Sequence, residues 1–191
     1  MIELVVVAVT AGAVASLLAA IRAGDRVQEV ASKAVASASF VALGLLRIDG
    51  AGAVGSWIVA GLLLCAAGDL LLLGSGRSFD LGLLSFLLGH CAYIGAFATA
   101  LPLSAWWRPA IVPLALAGAG ALRWLWPHLG RRRLAVVAYI VAISGMVWGA
   151  VAVLRAGVLP ATVAPGAILF YLSDLAVARH RPCRSPRARP F

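Results

Sequence analysis

The sequence predicts an all-α protein, a polytopic transmembrane helix bundle of seven spans with its N-terminus outside and its C-terminus in the cytoplasm. Three observations carry that expectation. Of 191 residues, 63% are hydrophobic and 12% are charged, whereas a soluble domain is about a quarter charged. Mean hydropathy is +1.01. The apolar residues gather into runs of about 20, the length that crosses a bilayer as a helix. These runs are apolar on every side, unlike the alternating strands of a membrane β-barrel.

The runs, in order, are Leu4 to Ile21, Val27 to Leu46, Val54 to Leu73, Leu81 to Ala100, Pro109 to Leu125, Leu134 to Leu154 and Val158 to Ala178. Short loops holding Gly, Pro or Arg separate them. An eighth span requires one run to be a re-entrant pair. No internal repeat is evident. Residues 1–178 form the membrane domain, and residues 179–191 form a basic, Pro-rich, disordered cytoplasmic tail.

The arginines set the orientation. Arg22 and Arg26, then Arg77, then Arg131 to Arg133, then the tail lie on one side; Arg47, Arg108 and Arg155 lie on the other. The richer side belongs in the cytoplasm. An odd number of spans then requires the N-terminus outside. The net charge of +9 is therefore a flanking pattern at the membrane and not a nucleic-acid surface. The tail is expected to lie against anionic lipid headgroups. The Ala-, Leu- and Arg-rich composition suggests a bacterial source, and a multi-pass chain is then expected in the inner membrane.

The three cysteines, Cys65, Cys91 and Cys183, are odd in number and widely spaced, so they suggest no disulfide framework and no zinc site. The first run has no basic start, so it reads as a span rather than a signal peptide.

Chemistry concentrates in a few intramembrane polar residues. A charged carboxylate at membrane depth costs roughly 3 kcal/mol on insertion scales. Asp69 sits in GLLLCAAGDLLLL and Asp174 in AILFYLSDLAVA. With the orientation above, Lys33, Asp69 and Asp174 share one layer toward the cytoplasmic side, and Tyr139 reaches the same level. They are candidates to neutralise one another, with the two acids facing each other as an active site. His90 lies nearer mid-membrane. Stripes at three- and four-residue spacing line single helix faces: Lys33, Ser37 and Gly44; Gly61, Cys65 and Asp69; Phe86, His90 and Tyr93; Phe170, Ser173 and Asp174. Their small residues suit close helix packing or room for an acyl chain. Glu29 and Asp80 stand at helix starts and suit the dipole there.

Lys33, Gly68-Asp69-Leu70-Leu71, Phe79-x-x-Gly82-x-x-x-Phe86-x-x-x-His90-x-x-Tyr93, Tyr139, Met146 and Gly166-Ala167-x-x-Phe170-x-x-Ser173-Asp174 together resemble the YhhN-like lysoplasmalogenase family. The resemblance runs from about Lys33 to Arg179. One departure is that Ala34 follows Lys33 where the family often has proline. The resemblance implies an ether-bond hydrolase. Its substrate would be a lysophospholipid of the lysoplasmalogen class, cleaved at the vinyl ether into a fatty aldehyde and a glycerophospho-base. It also implies Asp69 and Asp174 as catalytic residues and no cofactor.

The chemistry fits the residue types. Vinyl ether hydrolysis begins with proton transfer to carbon and passes through an oxocarbenium ion. A carboxyl pair supplies one acid and one base, as in glycoside hydrolases. Lys33 would pair with an aspartate, bind the phosphate, or snorkel to the interface. His90, Tyr93, Tyr139 and Ser173 are expected as cavity-lining or tuning residues, with packing as the plainer role for the histidine and the tyrosines. Ser173 has no adjacent histidine and no nucleophile elbow, so a serine hydrolase is not indicated. Two other readings stay open. One is a metal-dependent lipid hydrolase using His90, Asp69 and Asp174, although zinc hydrolases more often show two or three histidines. The other is a transporter of a small solute or protons, although no paired halves are seen.

Overall fold

A computed structural model describes residues 2–48, 50–129 and 133–180. Within them the chain is helical, with seven α-helices and no strand. They are α1 (Ile2–Ala23), α2 (Arg26–Leu46), α3 (Gly52–Leu71), α4 (Arg77–Ala100), α5 (Ile111–Leu125), α6 (Arg133–Ala156) and α7 (Val163–His180). Five of them, α1 to α4 and α6, are long and apolar enough to cross a membrane. The chain is a multi-pass membrane protein by that measure. Arg131, Arg132 and the tail from Arg181 onward, Cys183 included, lie outside the described residues.

The chain forms two compact units, Met1–Ala96 and Phe97–Phe191. In the first, α1 and α2 make an antiparallel hairpin. Gly24 at φ +70° supplies the left-handed turn that a side chain would strain. Asp25 then caps α2, accepting from the backbone N–H groups of Val27 and Gln28 at 3.0 Å each. Ser16 and Ser32 share a hydrogen bond of 2.8 Å across the hairpin. At its open end the Arg47 guanidinium grips the Glu3 carboxylate with two bonds. At the turn end Arg26 bonds Glu29 at 3.0 Å and also donates to the Leu73 carbonyl just past α3. The start of α2 and the end of α3 are thereby tied together.

Helices α3 and α4 pack through glycines. A Cβ on Gly61 would sit 2.6 Å from the Tyr93 ring, and one on Gly68 would sit 2.6 Å from the Phe86 ring. Only a bare backbone admits those rings at such range. Ser85 Oγ donates to the Leu64 carbonyl at 2.6 Å, closing the same contact. By contrast α1 turns large apolar side chains outward along its length, Leu4 at 76% exposed and Val5 at 59% among them. An element this apolar with so exposed a surface is a lipid-facing helix.

In the second unit α6 is the central element. Ala142, Ile143, Met146, Val147, Ala150 and Val153 are all buried. Gly149 takes the edge of Trp106, whose ring stands T-shaped to Trp148 at 5.1 Å. Both ends of α6 carry an arginine over an indole: Arg133 lies 4.7 Å from the Trp126 ring centre and Arg155 4.3 Å from that of Trp107. The two arginines are 22 helical steps apart, about 33 Å at 1.5 Å per residue, and the hydrocarbon core is about 30 Å thick. Aromatic and arginine pairs at that spacing match the two interfaces of a bilayer.

Two helix starts fall later than the apolar runs suggest. α5 begins at Ile111 because Arg108–Ala110 forms a 3-10 turn, with Pro109 in a position where a missing N–H costs nothing. α7 begins at Val163 and not Val158. Gly157 takes φ +64°, and Pro160 holds the preceding residue away from helical angles.

Candidate active site

Lys33 and Ser37 stand one turn apart on α2 and face the same carboxylate on α3. Lys33 Nζ lies 3.0 Å from Asp69 Oδ1, and Ser37 Oγ donates to Asp69 Oδ2 at 2.9 Å. Each oxygen of Asp69 thus has its own donor, one cationic and one neutral. Ser37 is buried, while the Lys33 and Asp69 side chains are 22% and 24% exposed. Lys33 is seven residues into α2, about 10 Å from its start. An ammonium at that depth gains from a carboxylate partner, because a lone charge there is expensive. The local sequence makes this possible. The i, i+4 spacing sets the ammonium and the hydroxyl on one face of α2, and Gly68 beside Asp69 lets Phe86 of α4 close against α3.

In the second unit Tyr139, early on α6, donates its phenol to Asp174 Oδ2 on α7 at 2.6 Å. Both residues are half-buried. A bond this short to a carboxyl oxygen is of the stronger class, worth about 1.5–3 kcal/mol. Replacing Tyr139 by Phe is therefore expected to lower stability by about 1.5 kcal/mol, which thermal unfolding of the purified variant measures.

The other sequence candidates fall in different places. His90 is fully buried on α4, close to the Phe86 backbone one turn earlier. Tyr93 packs its ring on Gly61, and its hydroxyl lies 3.9 Å from Cys65 Sγ. Tyr93 therefore occupies the α3–α4 packing face. Ser173 is exposed on α7. Ser37 appears in the sequence only as one member of a stripe, and its spacing from Lys33 is the signal that identifies it. Among the described residues, no group of three or more His, Cys, Asp and Glu side chains stands close enough to hold a metal ion.

These features define a class: a multi-pass α-helical membrane protein with one ion-paired aspartate and one phenol-bound aspartate set in apolar helices. The chain belongs to the YhhN family, whose sequence model matches residues 28–191. That span includes Lys33, Asp69, Tyr139 and Asp174. Proteins named lysoplasmalogenase from Mycobacterium bovis and Mycobacterium tuberculosis are each 42% identical over 128 residues, covering 62% of this chain and 47% of theirs. The chain spans about half the length of the curated relatives it matches. No solved structure matches it.

Proposed function

We propose that this protein is a lysoplasmalogenase: a membrane hydrolase that cleaves the vinyl ether of a lysophospholipid to a fatty aldehyde and a glycerophospho-base. The observation that carries this reading is the 42% identity to two proteins that bear that name. The site chemistry supports it. Asp174 delivers a proton to the outer alkene carbon, and the electron pair of the double bond forms the new C–H bond. The ether oxygen stabilises the resulting cation. Water adds to the carbon bonded to oxygen and gives a proton to Asp69. The hemiacetal hydroxyl then gives its proton to Asp174 while Asp69 returns its proton to the glycerol oxygen; the C–O bond breaks, aldehyde and alcohol leave, and both carboxyls regain their starting states. Asp69 suits the base role because both of its oxygens already accept hydrogen bonds. General acid–base help of this kind contributes about 100- to 10,000-fold.

The membrane topology belongs to the same proposal: seven spans, N-terminus outside, C-terminus inside, in a bacterial inner membrane. The arginine asymmetry and the anchored ends of α6 support it.

The test is aldehyde release from a purified 1-alkenyl lysophospholipid, set against its saturated 1-alkyl ether. The proposal expects cleavage of the first alone, because a saturated ether has no alkene carbon to protonate. Equal treatment of both lipids, or release from neither, would remove it.

A further inference from the structure

Several hydroxyls in these helices turn back on their own backbone. Thr10 donates to the Val6 carbonyl at 2.8 Å, Ser39 to that of Val35 at 2.8 Å and Ser56 to that of Gly52 at 3.2 Å. Each partner lies one turn earlier, the carbonyl that a serine or threonine reaches within its own helix. A hydroxyl has one hydrogen to give, and Ser37 gives it elsewhere. It leaves α2 and donates to Asp69 Oδ2 on α3 at 2.9 Å. Burial does not explain the difference. Ser39, on the same helix, is also buried, at 7% exposed against 3% for Ser37.

The crossing matters because of what holds the other oxygen. Lys33 Nζ lies 3.0 Å from Asp69 Oδ1. A lysine is a point charge on a flexible stem, and the terminal torsion of an aspartate is broad. One ammonium alone would leave the carboxylate free to swing. A second donor, one turn along the same face of α2, fixes its plane. The two oxygens are then unequal. An ammonium has hydrogens to offer and no lone pair, so Oδ1 faces a cation that repels an arriving proton. Oδ2 faces a neutral hydroxyl. A carboxylate oxygen carries about two lone pairs, so Oδ2 gives one to Ser37 and keeps one for water. The Asp69 side chain retains 24% of its surface while Ser37 is buried. The hydroxyl therefore holds the carboxylate from within the helix pair and leaves its exposed surface to water and substrate.

We infer that Ser37 is a positioning residue for the hydrolysis: it holds Asp69 so that Oδ2 takes the proton of the attacking water and later returns it to the glycerol oxygen. In the first step an O–H bond of water breaks, the water oxygen bonds the oxocarbenium carbon, and the proton bonds Oδ2. In the second the Oδ2–H bond breaks and the proton bonds the glycerol oxygen as the C–O bond opens. Ser37 keeps its hydrogen throughout. This inference rests on the hydrolase reading above and adds which oxygen of Asp69 works and what aims it.

The test is steady-state kinetics of Ser37→Ala and Ser37→Thr, with Ser37→Ala repeated in the Asp69→Asn background. Ser37→Ala is expected to lower kcat about tenfold with KM nearly unchanged, since a misaimed reacting group costs rate and not binding. Alanine is the best helix former, so the helix itself is kept. Ser37→Thr retains a hydroxyl and is expected to recover most of the loss. In the Asp69→Asn background Ser37→Ala is expected to cost nothing more, because the group it positions is already gone. The infrared carboxylate band of Asp69, taken as the difference between each protein and its Asp69→Asn counterpart, is expected to shift in Ser37→Ala. A tenfold loss that persists in the Asp69→Asn background would mean a purely structural role and overturn the inference. An unchanged kcat in Ser37→Ala, or an unmoved band, would overturn it too. A wild-type protein that releases no aldehyde would sink the hydrolase reading by itself, and the infrared band would then decide separately whether Ser37 holds Asp69.

Discussion

Asp69→Asn and Asp174→Asn are each expected to lower aldehyde release by about 100-fold or more, with both variants keeping the helical content of the wild type. Asn has the shape of Asp but carries no titratable proton, so the expected loss is the general acid–base contribution, about 100- to 10,000-fold or at least roughly 2.7 kcal/mol of barrier. The two variants should differ in detail. At position 174 the amide can still accept the Tyr139 hydrogen bond, now 2.6 Å long, so the structure is expected to hold while the proposed proton donor is lost. At position 69 the amide leaves Lys33 without a counter-charge 3.0 Å away, so stability falls as well. Kinetics and thermal unfolding measured on the same preparations separate the two effects. Full activity in either variant would remove that residue from the mechanism.

Lys33→Met is the second large effect. It removes the ammonium and leaves the Asp69 carboxylate in an apolar helix. Breaking one side of a desolvated pair costs about 3–5 kcal/mol. Because both side chains keep nearly a quarter of their surface, the lower end applies, near 3 kcal/mol. The double variant Lys33→Met with Asp69→Asn should recover most of that stability, since no uncompensated charge remains, yet stay inactive. A detergent unfolding series across wild type, both singles and the double measures the coupling directly. A Lys33→Met protein as stable as wild type would mean that the lysine is already solvated at the interface and holds nothing in place.

Much of the fold is legible in the residues for a simple reason. A chain with so few charges has little polar surface to offer water, and helices alone satisfy the backbone of isolated apolar runs in lipid. Asp25, Gly24 and the Arg26–Glu29 pair mark the α1–α2 turn as clearly in sequence as in space. The starts of α5 and α7 are less legible, because apolar residues continue through a 3-10 turn at Arg108–Ala110 and through the Gly157–Pro160 bend. Hydropathy does not register either change of backbone.

The site divides in the same way. Lys33 and Asp69 stand out because charge is rare in such helices, and the structure sets them 3.0 Å apart. Tyr139 is drawn in by depth, and its partner in space is Asp174. Ser37 carries no such signal. Hydroxyls are common in apolar helices, and only geometry shows that this one bonds a carboxylate. Tyr93 shares a helical face with functional-looking residues, yet its ring rests on Gly61 and its hydroxyl lies beside Cys65 of α3.

The most direct measurement is hydrolysis of the 1-alkenyl lysophospholipid by wild-type protein in deuterated water, with rapid trapping of the aldehyde. Protonation at carbon by a carboxyl group predicts one deuterium on the carbon next to the aldehyde, release of glycerophospho-base in equal amount, and a slower rate than in ordinary water. Aldehyde that carries no deuterium at that carbon would contradict the carboxyl-acid mechanism, and absence of aldehyde from folded protein would contradict the proposed activity itself.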